Sequence, residues 1–226
     1  MKRFALVMGA LSIVVGLALP ARADHAWEDY HWGRTSNPFT LTVVDSVTGV
    51  WDPLLQQVNA DWSSSNVLDL RSEPGATDLV GRLLCLPLAG KIRACNANYG
   101  PNLWFGLATV WISGGHITQA VTQVNDFYFT GEFGNDVARR HVLCQEIGHD
   151  FGLDHHEQVS CMDDTNSTLN LASHQSPNNH DFQQLSAIYS HTDPSNTYSS
   201  QTAAGRSSSL VRHEDGQTVI TSIFWV

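Results

Sequence analysis

Positive charge is scarce in this chain: 12 Lys and Arg stand against 22 Asp and Glu, a formal charge of −10 over 226 residues. Binding a phosphate backbone needs a basic surface, so nucleic acid is excluded as a partner. A membrane span is lacking too. The apolar stretch at residues 4–19 is 16 residues long, where a bilayer-crossing helix needs about 20. It follows Met1, Lys2 and Arg3 and runs into Ala21, Arg22 and Ala23, the charged start, apolar middle and small-residue cleavage site of a secretory signal. The sequence therefore predicts a signal peptide at residues 1–23, a mature chain from Asp24, a secreted or periplasmic location, and no membrane association after cleavage. No cysteine stands directly after the cleavage site, which argues against a lipid anchor. Losing the signal removes three cations and no acids, moving the formal charge from −10 to −13. Solubility outside the cell accounts for that acidity; structural Ca2+ would also suit it, though no residues mark a site.

All four cysteines, Cys85, Cys95, Cys144 and Cys161, lie in the exported part. In an oxidising compartment an even count points to disulfides, with three connectivities open. The hydrophobic pattern predicts an α+β fold. Residues 39–44 alternate as a strand. Residues 51–62 place Trp51, Leu54, Leu55, Val58 and Trp62 on one helical face, with Asp52 and Pro53 at the start. Further strands are expected at 67–70, 81–86, 103–112 and 121–129, with Gly114 and Gly115 between the last two. A helix should begin near Asp136, and a final one should cover 179–189 with Phe182, Leu185, Ala187 and Ile188 inward. This gives one domain over residues 24–192. Ser, Thr and Asn then dominate, predicting a flexible tail at 193–217. Residues 218–226 are apolar and β-branched, a strand expected to dock on the same chain's domain.

The chemistry concentrates in one run. Gln145, Glu146, His149, Gly152 and His155 have the spacing H-E-x-x-H-x-x-G-x-x-H, with Gln where the first His is expected. On a helix, residues 145 and 149 are one turn apart and reach the same ion, with Glu146 alongside. A helix cannot supply the third donor, so the chain must turn back, and Gly152 stands where positive φ is needed. His155 then arrives from outside the helix. His141 does not replace the missing ligand, since eight residues of helix separate it from His149 by about 12 Å.

In this motif, and in Met162 a short loop beyond it, the chain resembles the metzincin metalloproteases, in particular the matrixin-like branch of secreted bacterial proteins whose helix reads Q-E-x-G-H-x-x-G-L-D-H. The segments around His31 and Trp32, His116 to Gln119, and His180 to Leu185 extend the likeness over most of residues 30–191. The resemblance implies a twisted mixed sheet, a long active-site helix, a methionine turn at Met162 and a C-terminal helix. It implies one catalytic Zn2+ held by Gln145, His149 and His155, with Glu146 as general base and Gly152 at the active-site turn. An extended polypeptide substrate would add to an edge strand at 103–112, and the protein would act as a monomer. Of the possible disulfides, Cys85 with Cys95 would close a loop through Pro87 and Gly90. Cys144 with Cys161 would staple the zinc helix to the methionine turn, which leaves a nucleophilic or metal-binding role for Cys144 as the weaker reading.

Two departures from the family pattern matter. Zinc favours nitrogen and sulfur, so an amide oxygen from Gln145 should hold it less firmly than an imidazole. His156 stands where a small hydroxyl residue is common, and is expected to be solvated rather than a ligand; His116 is likewise expected to be an ordinary packed or solvated loop residue. About a dozen residues separate Ala23 from the first strand-like region, leaving no room for a folded prodomain. A second reading is a pseudoprotease, a peptide or protein binding module that lost catalysis with its first histidine. A third is a zinc hydrolase acting on non-peptide substrates.

Overall fold

The computed structural model describes residues 24–198 and 217–225. The expected signal peptide, tail residues 199–216 and Val226 lie outside them. The described chain is α+β, a seven-stranded mixed sheet with four helices. The sheet runs β3 (Leu68–Pro74), β2 (Phe39–Ser46), β4 (Ile92–Ala97), β6 (His116–Asn125), β5 (Trp104–Ser113) and β7 (Gln217–Trp225). A two-residue strand β1 (His31–Trp32) pairs with the start of β6. Strands β2, β3, β4 and β6 are parallel, whereas β5 is antiparallel to β6 and to β7. Gly114 and Gly115, both at positive φ (59° and 84°), make the tight hairpin between β5 and β6, the two-residue loop whose twist matches the strands.

Helix α1 (Trp51–Trp62) coincides with the expected span, and its buried face is Trp51, Leu54, Leu55, Val58, Asn59 and Trp62. It packs on α3 (Asp136–His149), where Trp62 Nε1 donates to the Cys144 carbonyl at 3.1 Å. Asn135 caps α3 by accepting the Ala138 N–H at 3.0 Å. Asn178 and Asp181 form a reciprocal capping box at the start of α4 (Asn179–Ile188). Cys85 is joined to Cys95 and Cys144 to Cys161.

Two expectations need correction, and one strand was not expected. Residues 81–86 are not a strand: α2 (Leu79–Leu84) forms there, capped by Asp78, whose side chain accepts the Gly81 N–H. Its leucines face outward rather than into a core; Leu79 and Leu84 are each 59% exposed. The strand in this region is β4, and its six residues are all buried. Its polar residues Arg93 and Asn96 are both satisfied inside: Arg93 Nε donates to Ser46 Oγ, and Asn96 accepts the Thr48 N–H. Residues 193–198 do not begin a flexible tail. Asp193 accepts the Arg34 N–H, and Thr197 donates its N–H to the Gly33 carbonyl.

Candidate metal centre

Helix α3 ends at His149, and the chain reverses through Gly152, whose φ is 93°. A Cβ there would overlap the Tyr30 carbonyl oxygen as well as strain the backbone. The N-terminal segment clamps this turn, with Trp27 N–H donating to the Gly152 carbonyl and Asp154 N–H to the His25 carbonyl, both at 2.9 Å. The reversal returns His155 to His149, bringing their Nε2 atoms 2.9 Å apart.

The protonation of that pair follows from its neighbours. His149 Nδ1 lies 2.8 Å from the Leu153 carbonyl, which can only accept, so the proton sits on Nδ1 and Nε2 carries a lone pair. His155 Nδ1 faces the Asp164 carboxylate at 3.4 Å, which favours the same tautomer. Burial pushes both imidazoles below their ordinary pKa, and the His155 charge pushes His149 further. Two neutral imidazoles thus point lone pairs at each other. A tetrahedral ion with bonds of ~2.0–2.1 Å holds its donors roughly 3.3 Å apart, so the pair suits a cation between them.

Gln145, one turn before His149, is fully buried, and neither its Oε1 nor its Nε2 has a hydrogen-bond partner among the described residues. Both Glu146 oxygens are also buried and lack a well-formed hydrogen bond, with the Ala108 backbone as their nearest polar support. Burial first, then the Asp150 carboxylate, push the Glu146 pKa well above the usual carboxylate range, with the Ala108 backbone as partial offset. Buried polar atoms are rarely left without partners. Two adjacent such residues beside two facing imidazoles fit a metal and its reacting water.

The surroundings are built from residues the sequence did not single out. Gly106 on β5 lies over Glu146; a Cβ there would overlap Oε1 and come within 2.6 Å of Glu146 Cγ and Val142 Cγ1. Gly148 plays the same part below, where a Cβ would meet Met162 Sδ at 2.5 Å and Trp62 at 2.8 Å. Met162 is therefore packed directly under α3, fully buried. The Trp27 ring stacks on His149, centroids 5.0 Å apart and planes 6° from parallel. A glycine inside a helix and one inside a strand were the readable signals; the Trp27 contact had none.

His156 is not solvated as expected. Its side chain is 8% exposed and its Nε2 lies 2.7 Å from Asp181 Oδ1. His141 stays apart from the centre, its Nε2 3.0 Å from the Asp163 carbonyl. The expected open edge at 103–112 is also absent among the described residues. Strand β7 lies along β5 from Gln217↔Ser113 to Trp225↔Trp104, docked in cis as its apolar pattern suggested.

No family model matches the chain, and no curated protein matches it.

Proposed function

We propose that this chain is a metal-dependent hydrolase, with Gln145, His149 and His155 as the ligand set. More narrowly, it is read as a secreted, metzincin-like zinc endopeptidase that acts as a monomer on extended polypeptides. The observation that carries this reading is the pair of facing Nε2 atoms 2.9 Å apart beside the buried side chains of Gln145 and Glu146. Strand β7 adds support, because an extended segment antiparallel to β5 is how a bound peptide would add to that sheet edge.

Zinc, when bound, polarises a scissile carbonyl and acidifies a water molecule. The rest belongs to the chain. Glu146 is the carboxylate directly beside Gln145 in the ligand run, and its raised pKa suits a group that takes a proton from water and returns it to the leaving amine. The β5 backbone would align the substrate, and Gly106 leaves the space for Glu146 beneath it. Two disulfides suit an oxidising compartment, and among the described residues no helix is long and apolar enough to cross a membrane.

The test is cleavage of an unfolded protein by the chain lacking residues 217–226, supplied with zinc, against the same chain carrying Glu146→Ala. Cleavage by the first alone supports the peptidase. A second reading, a non-catalytic peptide-binding module, is favoured by the amide in place of imidazole at Gln145 and by a groove already filled. Two folded, zinc-loaded proteins that both fail to cut would put that reading first.

A further inference from the structure

A second group of donors meets at the start of β6, built from other residues than those just described. His31 on β1 and His116 on β6 are register partners, and their imidazole centroids lie 4.8 Å apart. The chain returning after α4 brings Asp193 between them. Three ring nitrogens face the Asp193 carboxylate: His116 Nε2 is 3.1 Å and His191 Nε2 3.4 Å from Oδ1, and His31 Nε2 is 3.4 Å from both oxygens. The other oxygen is fixed from behind, with Oδ2 accepting from Arg34 Nη1 at 2.8 Å and from the Arg34 N–H at 3.0 Å.

Hydrogen bonding alone does not explain this convergence. His31 Nδ1 sits 2.5 Å from the Asp29 carbonyl, an acceptor only, so its proton is on Nδ1 and Nε2 is a lone pair. That lone pair points at a carboxylate oxygen, acceptor against acceptor. A carbonyl accepting from Nδ1 is also the usual way a metal-binding imidazole is held in orientation.

We propose that His31, His116 and Asp193, with the exposed His191 as a fourth donor, form a second divalent metal site of the zinc type. The separations of 3.1 to 3.4 Å from Oδ1 match the roughly 3.3 Å between donors of a tetrahedral ion with bonds of ~2.0–2.1 Å. Three nitrogens and one oxygen select zinc, cobalt or nickel over calcium, which takes six to eight oxygens. An open cleft of about 810 Å³, lined by Glu28, Asp29 and Tyr30 among others, gives the ion an acidic approach. Bound there, it would tie β1, β6 and the segment after α4 together.

The neighbouring group of His25, His156, His180 and Asp181 makes a weaker site. Gln158 N–H donates to His156 Nδ1 at 2.9 Å, so His156 Nε2 carries the proton and donates to Asp181; that contact is satisfied without an ion.

The experiment uses the full chain with His149→Ala and His155→Ala, so that the proposed catalytic centre cannot contribute. Titration with Zn2+, and with Co2+ read by its visible absorption, should show one equivalent in tetrahedral geometry and a rise in Tm. Adding His116→Ala should abolish that equivalent, and adding His191→Ala should weaken it at least tenfold. Both positions are partly open to solvent, so folding is checked by Tm without metal. No binding by the double variant, or the same stoichiometry and affinity after His116→Ala, would overturn the site. Failure here leaves the catalytic reading untouched, because that centre is absent from the tested protein.

Discussion

The Ser222 hydroxyl lies 3.2 Å from His149 Nε2, the nitrogen assigned to a metal. Register puts it there. Ser222 pairs with Ala108 on β5, and strand alternation sends Phe224 to the same face. Phe224 is 2% exposed and packs on Phe105 and His141, with centroids 6.1 and 6.0 Å away. One strand thus covers the sheet edge and brings a hydroxyl to the proposed ligand nitrogen.

Removal of residues 217–226 is therefore expected to raise peptide cleavage at least tenfold and to tighten zinc binding. Both are read by comparing the truncated and full chains in the same zinc buffer. The Phe224→Ala variant should move in the same direction by freeing the anchor, with faster amide exchange confined to β5 and β7. Equal rates and equal affinities for the full and truncated chains would show that the strand does not restrain the centre.

Gln145→His should tighten zinc at least tenfold, about 1.4 kcal/mol, because an imidazole nitrogen replaces a neutral oxygen at a position one helical turn from His149. The check is competition with a chelator. An unchanged affinity would remove Gln145 from the ligand set.

Much of the architecture was legible because it is local. The α1 face, the Gly114 and Gly115 hairpin and the run from Gln145 to His155 each express a period or spacing that one segment fixes by itself. What escaped depends on distant partners. Strand β4, which no sequence expectation covered, can bury Arg93 and Asn96 because the distant Ser46 and Thr48 satisfy them. The α2 leucines suggested a buried strand, but the Asp78 cap settles the backbone. The occupation of β5 by β7 joins residues more than a hundred positions apart, and the sequence suggested a docked strand without saying where.

Gly106→Ala tests how closely β5 is fitted to Glu146. The added methyl would overlap Glu146 Oε1 and crowd Val142, so strand and helix must separate or the carboxylate must swing away. The expected cost is about 1–3 kcal/mol in urea unfolding, together with a fall in kcat larger than any change in KM. A variant with parental stability and kcat would show that this approach is not constrained.

His141 should make the metal-free protein acid-sensitive. It is buried, and burial chiefly pushes its pKa from 6.5 down to about 4, with the Asp163 carbonyl a partial offset and the His174 charge adding to the lowering. Above 6.5 the ring is neutral in both folded and unfolded chains, and its contribution to the pH dependence is flat. As pH falls below 6.5 the unfolded chain takes a proton that the folded one refuses, so stability drops until about pH 4, where both are charged. The loss is on the order of 3 kcal/mol. Urea unfolding in chelator, followed between about pH 7 and pH 4 for the parent and for His141→Gln, isolates this group from the other buried histidines, since glutamine can still donate to the Asp163 carbonyl but cannot titrate. The difference in stability between the two proteins should shift in favour of the variant as pH falls; a difference that stays constant would mean that His141 is not held neutral by its burial.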